Sequence, residues 1–268
     1  LVTIFHGNDI GVPAHEGALG RYAPLFDYGA CLLTVNRMFR GMLVEAGAPE
    51  DRTVVHRMGI DCDEIPFFPR AMAEGPLELV SVCRLVEKKG IAVALHAMAA
   101  FAAARPAAEW RYSVIGDGPL LPELQALAGE LGLAGKVRFH GALPHAAVKE
   151  RLARAHIFLL PSLTAADGDV EGVPVALMEA MAAGLIVVSS FHSGIPELVE
   201  DGRSGFLAPE GDAAGLAAHI RRIADDPGTW PAISLAARRR VETEFNNDIL
   251  NDRLFDRIID LLVKESAA

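Results

Sequence analysis

From residue 77 onward the chain alternates two hydrophobic patterns. Short runs rich in Val, Ile, Leu and Phe, namely LELVSV (77–82), YSVIG (112–116), VRFHG (137–141), IFLLP (157–161) and LIVVSS (185–190), are bounded by Gly, Pro or charge. Such short apolar runs predict strands buried on both faces. Between them the apolar positions recur at the helical period. Ile91, Leu95, Met98 and Phe101 share one face, closed by Pro106; Leu124, Leu127 and Leu131 share a second, and Val148, Leu152 and Ala155 a third. Strand alternating with helix predicts a parallel sheet with right-handed crossovers, a Rossmann-like domain.

Residues 1–56 show the same α/β pattern over fewer elements: strand 1–5, a helix near 19–27, strand 31–35, helix 37–46 and strand 53–57. That is too few strands for a self-sufficient sheet, so an open edge and an apolar face needing cover are expected. The segment DEIPFFPRAMAEGP (63–76), with three prolines and no sustained period, suits an interdomain linker. The expected division is a partial amino-terminal domain over 1–70, a Rossmann-like domain over 71–245, and a terminal helix over 246–268 packing back toward the first domain. That helix places Ile249, Leu254, Ile258, Leu261 and Leu262 on one broad face. The run Arg238 to Arg240 is expected to be a solvated helix face, and Ser193 to cap a short helix near Ile195.

Composition narrows the classes. With 268 residues, 51% hydrophobic and 22% charged, the chain has ordinary soluble composition and length enough for two domains. A formal charge of -10 argues against nucleic acid as a partner, because phosphate-backbone binding needs a surplus of Lys and Arg on the contact face. Cys31, Cys62 and Cys83 form no CxxC pair and have no His at ligand spacing, so they read as reduced, buried thiols of a cytoplasmic protein, and no metal site is expected. No apolar stretch reaches the roughly 18–20 residues that span a bilayer. The opening LVTIFHGND has neither a basic n-region nor a small-residue cleavage site; it reads as a strand entering a polar loop.

In an open parallel sheet the loops after the strands carry the chemistry. CRLVEKKG places Arg84, Lys88 and Lys89 just before a helix, a combination suited to a diphosphate, or alternatively a solvated basic turn. IGDGP puts Gly116 and Gly118 around Asp117; it is a tight turn or a site, and it is not the GxGxxG fingerprint of dinucleotide binding. The loop LTAADGDVEGVP (163–174) runs into the helix VALMEAMAAG, with Glu171 before the helix and Glu179 inside it. Free N–H groups of Gly172 and Val173 would point at an anion docked there. A carboxylate in so apolar a helix needs partners, which makes Glu179 a hydroxyl-binding group unless it faces solvent. His6, after a buried strand, is equally a site residue or a hydrogen-bonded structural one.

The order HGND, CRLVEKKG, IGDGP, FHGALPHAAV, LLPS, EGVPVALMEAMAAG, SGIPELVEDGRSGFL resembles the family 4 (group 1) nucleotide-sugar glycosyltransferases of the GT-B fold, over nearly the whole chain. DGDVEGVP and VHRMGID are most similar to bacterial exopolysaccharide and colanic acid glycosyltransferases. The resemblance implies two Rossmann-like domains facing a cleft, the first incomplete here. It implies that Arg84 and Lys89 grip the donor diphosphate, that Glu179 takes the ribose hydroxyls, and that Glu171 with Gly172 and Val173 meets sugar and diphosphate. Gly116 would lie on the donor side, Gly141 to Leu143 would contact the base, and His6 would face the donor sugar. The implied reaction is retaining sugar transfer from a nucleoside diphosphate sugar to a hydroxyl of a glycan or lipid-linked glycan, with no cofactor or metal. Implied too are a cytoplasmic location that allows peripheral contact at the inner membrane, and self-association over the exposed partial domain. The alternatives are a non-catalytic nucleotide-sugar-binding fragment or partner-dependent half-enzyme, and an unrelated Rossmann enzyme, which the missing GxGxxG disfavours.

Overall fold

The computed structural model describes residues 1–71 and 75–266. Val2–Phe5 (β1), Cys31–Thr34 (β2) and Thr53–Val55 (β3) form a parallel sheet in the order β1-β2-β3. The central strand β2 is buried at every position, whereas β1 lies at the edge with Leu1, Val2 and Ile4 exposed. Gly7–His15 (α1), Ala23–Tyr28 (α2) and Arg37–Glu45 (α3) pack on it. Phe5, Ile10, Phe26, Leu32, Phe39 and Leu43 close the core of this unit, with Val170 contributed from far along the chain.

Two local expectations change here. The polar loop after β1 is helical from Gly7 onward: His6 is the residue that opens α1, and its N–H donates to Asp9 Oδ2 at 2.8 Å. The helix near 19–27 is split into a 3-10 turn at Leu19–Tyr22 and α2, with Pro24 in the first turn of α2, where a missing N–H costs nothing.

The second sheet holds Leu77–Val82 (β4), Trp110–Ile115 (β5), Val137–Phe139 (β6), Ile157–Leu160 (β7), Ile186–Ser190 (β8) and Phe206–Ala208 (β9). All pair in parallel in the order β6-β5-β4-β7-β8-β9. Its helices are Ile91–Ala104 (α4), Leu121–Glu130 (α5), His145–Arg154 (α6), Val175–Ala182 (α7), Ile195–Leu198 (α8), Ala213–Asp225 (α9) and Trp230–Glu244 (α10). Successive strand residues feed opposite faces: Leu79, Ile157 and Leu159 join one apolar cluster, Val80, Phe158 and Leu160 the other. That two-sided burial is why these strands read as continuous apolar runs.

Asn247–Ser266 (α11) follows a bridge in which Ile60 N–H donates to Phe245 O at 2.9 Å and Asn247 N–H donates to Ile60 O at 3.0 Å. Leu250, Arg253, Arg257 and Leu261 run beside Val55, His56 and Arg57 at the end of β3. Of the apolar face expected on this helix, Ile258 and Leu262 remain exposed together with Phe255, Ile259 and Val263.

The arginine run of α10 is not a solvated face. Arg238 donates to Ile65 O at 2.8 Å, Ala182 O at 3.0 Å and Cys62 O at 3.1 Å, and so ties the segment before β4 to α7. Arg240 donates to Glu197 O at 2.8 Å and pairs with Glu244; Arg239 alone of the three is exposed. Ser193 does not cap α8: it is held at φ 47°, and its Oγ accepts from Asn36 Nδ2 instead. A serine in this region is strained, by about 1 kcal/mol.

Candidate active site

The strand order of the second sheet reverses between β4 and β7, so the loops leaving their carboxyl ends open a crevice there. Gly90 sets how closely these loops approach. It has φ 64°, and a Cβ on it would stand 1.9 Å from Pro161 O, so only glycine allows the turn after Lys89 to lie on the chain after β7. The carboxyl ends of β1 and β2 face the same crevice. His6, Gly7, Asn8 and Val35 on one side, and Lys88, Lys89 and residues 170–176 on the other, line a cavity of about 390 Å³.

Among the described residues, three ion pairs join the two loops at this cavity. Lys89 Nζ lies 2.8 Å from Glu171 Oε1, and Lys88 Nζ lies 2.9 Å from Asp169 and 3.8 Å from Glu171 Oε1. Glu171 is buried, and its N–H donates to His192 Nε2 at 3.1 Å. The N–H groups of Gly172 and Val173 have no acceptor among the described residues, while Gly172 O accepts from Asn36 Nδ2 and Gly194 N–H at 3.1 Å each. The first turn of α7 follows directly, with Val175 and Ala176 on the cavity wall. Two lysines, two unengaged amides and a helix N-terminus thus converge where an anion would sit. Cys83 lines the cavity as well, but burial pushes its thiol up to about 12, which keeps it protonated and unreactive at neutral pH.

The structure therefore gathers His6, Lys89, Glu171, Gly172 and Val173. The other expected site residues stand elsewhere. Glu179 is half-buried on α7 and lines a neighbouring cavity of about 500 Å³ with Ile65, Phe68, His145, Val148 and Lys149. Burial raises its carboxyl above the usual range, against the opposing pull of His145 and Lys149. Arg84 is exposed, and its guanidinium has no hydrogen bond or ion pair among the described residues, while its carbonyl accepts Val86 N–H at 3.0 Å. Gly116, at φ 133°, would place a Cβ 1.8 Å from Cys83 O, and its N–H donates to Gly141 O at 2.8 Å. Its close approach is therefore to backbone, and it joins the loops after β4, β5 and β6. Leu143 packs, half-buried, on the second apolar cluster.

Four residues of the site neighbourhood were not among the expected site residues. Asn36 is fully buried; its Oδ1 accepts Phe39 N–H at 2.8 Å, and its amide reaches across to Gly172 and Ser193. Glu197 accepts Arg37 N–H at 2.6 Å and Arg57 Nη2 at 3.0 Å, a second tie between the two units. His192 and Glu210 complete the set, with His192 Nδ1 2.6 Å from Glu210 Oε1. Asn36 thus caps α3 while its amide makes the contacts across the cleft, which no local pattern shows.

The family model described as glycosyl transferases group 1 matches residues 64–240. The chain belongs to the group 1 glycosyl transferases. This group 1 chain is 44% identical over 252 residues to the amylovoran biosynthesis glycosyltransferase AmsK of Erwinia amylovora, covering 92% of the chain and 61% of AmsK. It is 41% identical over 259 residues to the putative colanic acid biosynthesis glycosyltransferase WcaL of Escherichia coli strain K12, covering 95% of the chain and 63% of WcaL. The chain thus spans about three-fifths of the length of these relatives. The crystal structure of Anabaena Alr3699/HepE in complex with UDP-glucose matches with a TM-score of 0.81 at 22% identity, over 97% of this chain and 72% of that one. That likeness speaks for the fold: this group 1 chain is GT-B, with two Rossmann-like sheets facing a cleft.

Proposed function

We propose that this chain binds a nucleoside diphosphate sugar and belongs to a retaining glycosyltransferase of family 4 type, which moves the sugar to a hydroxyl of a glycan or lipid-linked glycan in exopolysaccharide or cell-surface glycan synthesis. The observation that carries the reading is the convergence of Lys89, Glu171 and the unengaged Gly172 and Val173 amides at the strand-order reversal. The names of AmsK and WcaL support the polysaccharide context, and the UDP-glucose held by HepE supports the donor class.

In this reading Lys89 and the two amides take the diphosphate, assisted by Arg84 on its exposed loop. Glu171 and His6 meet the sugar from opposite walls of the cleft. Glu179 takes the ribose hydroxyls from the adjoining cavity, and the Gly141 to Leu143 turn meets the base. The acceptor oxygen attacks the anomeric carbon on the face that the leaving group departs from. The new C–O bond forms as the bond to the diphosphate breaks, the electron pair leaves with the phosphate oxygen, and the acceptor proton passes to that oxygen. Lys88, Lys89 and the backbone amides offset the charge that develops on the leaving group, which supports a reaction without a metal. In this reading the chain acts in the cytoplasm, with peripheral contact at the inner membrane.

Calorimetric titration of the chain with UDP and GDP tests the donor site, and binding of neither would remove it. Donor turnover with product configuration read by NMR tests the rest. A product of inverted configuration would rule out the retaining course, and tight nucleotide binding without turnover would favour a partner-dependent half-enzyme.

A further inference from the structure

Glu171 sits on irregular backbone between β7 and α7, with no strand or helix ladder of its own to fix it. Its place is set from the loops after β8 and β9. His192, 1% exposed, accepts the Glu171 N–H at Nε2, and its Nδ1 faces Glu210 Oε1. Because Nε2 accepts, the ring proton stands on Nδ1 and is donated to the carboxylate. The other carboxylate oxygen, Oε2, accepts the N–H of Thr164 at 2.8 Å, where the same loop begins. Hydrogen bonds from His192 and Thr164 outweigh the burial that would raise this carboxyl and hold it below the usual range. One carboxylate thus fastens both ends of the loop, the first directly and the second through an imidazole.

The geometry points to Glu210 and His192 as a positioning pair that sets Glu171 and the Gly172 and Val173 amides for the donor; this assignment rests on the donor-site reading above. Neither residue touches the donor in this scheme. The pair needs two acceptor oxygens at residue 210 and an acceptor at the Nε2 position of residue 192. Glu210→Gln keeps one acceptor oxygen for two donors, so one end of the loop loses its bond. His192→Phe keeps the volume but leaves the buried Glu171 N–H without a partner. His192→Gln returns an acceptor oxygen to about the Nε2 position.

The test uses the 268-residue chain as wild type, H192F, H192Q and E210Q. Amide hydrogen exchange over 163–174 is measured without ligand, and UDP and GDP affinities by calorimetry. Expected are about tenfold faster exchange in that loop for H192F and E210Q with β4 and β5 unchanged, and about tenfold weaker nucleotide binding, the worth of one well-made hydrogen bond. H192Q is expected within about threefold of wild type in both measurements. Exchange in the loop unchanged in H192F and E210Q would overturn the positioning pair, as would faster exchange spread evenly over the second sheet and not restored by H192Q. Should H192F fail to fold, E210Q decides, since the Glu210 side chain is 35% exposed and its replacement nearly isosteric. Wild type that binds neither nucleotide would overturn the donor site, and the exchange measurement would then decide the loop fastening on its own.

Discussion

Lys89 Nζ stands 2.8 Å from Glu171 Oε1, with both side chains largely buried at 16% and 9% exposure. The cation proposed for the diphosphate and the carboxylate proposed for the sugar are therefore partners of each other. A diphosphate bound as proposed would compete with Glu171 for Lys89. Removing one member of a buried pair leaves the other uncompensated, which costs about 3–5 kcal/mol.

Substitution on the two sides of this pair is expected to act in opposite directions. Lys89→Met weakens UDP or GDP binding at least about tenfold, because the diphosphate loses a charge-assisted partner and meets a carboxylate left with only Lys88 at 3.8 Å. Glu171→Gln frees Lys89 and leaves nucleotide affinity equal to or tighter than wild type, while donor turnover falls at least about tenfold. Calorimetry and a turnover assay on the same preparations check both; equal loss of affinity in the two variants would refute the competition.

Glu179→Ala is expected to weaken nucleotide binding by about tenfold, the worth of hydrogen bonds to a ribose; unchanged affinity would remove its ribose role. A second readout follows from its raised carboxyl. Burial makes the folded state bind this proton more tightly than the unfolded state, so its charging costs stability as pH rises through the raised value. Glu179→Gln should therefore raise Tm relative to wild type at pH 7 and leave it unchanged near pH 4, below both titrations.

Gly116 and Gly141 should separate sharply. Alanine at 116 meets Cys83 O at 1.8 Å and needs φ 133°, whereas alanine at 141 finds open space and only the positive φ of 66°. The expected losses are about 3 kcal/mol or more for Gly116→Ala and about 1 kcal/mol for Gly141→Ala, measured by urea unfolding. Similar losses would show that loop contact is not what Gly116 provides.

Arg238→Met should destabilise the chain by about 2–4 kcal/mol, because the carbonyls of Ile65 and Ala182 lose their side-chain donor and that of Cys62 is left with Ile65 N–H alone. Arg239→Met, on the exposed position of the same run, should lie within about 0.5 kcal/mol of wild type.

Acid should weaken the fold through half-buried histidines. Burial lowers the pKa of His56, His140 and His156, helped at His56 by Arg257 and Arg253, at His140 by Arg151 and Arg138 and at His156 by Arg70. For a depressed base the unfolded chain takes the proton first, so stability falls as pH drops through about 6.5. A Tm lower at pH 5 than at pH 7, with a smaller difference in His156→Asn, is the expected result.

What the sequence determined by itself was local. Apolar runs such as IFLLP can only be strands buried on both faces, period 3.6 fixes the helical faces, and polar residues such as Lys89 and Glu171 left at strand ends mark where chemistry can sit. These follow from the repeat of the backbone, which acts over a few residues. Which strand ends become neighbours was decided by the sheet order: placing β4 beside β7 brings Lys89 to Glu171, and placing β8 beside β9 brings His192 to Glu210. The same reason turns Arg238 inward and makes Gly116 a contact of backbone with backbone. Packing between segments far apart in the chain leaves no period in either segment, so only the folded arrangement could show it.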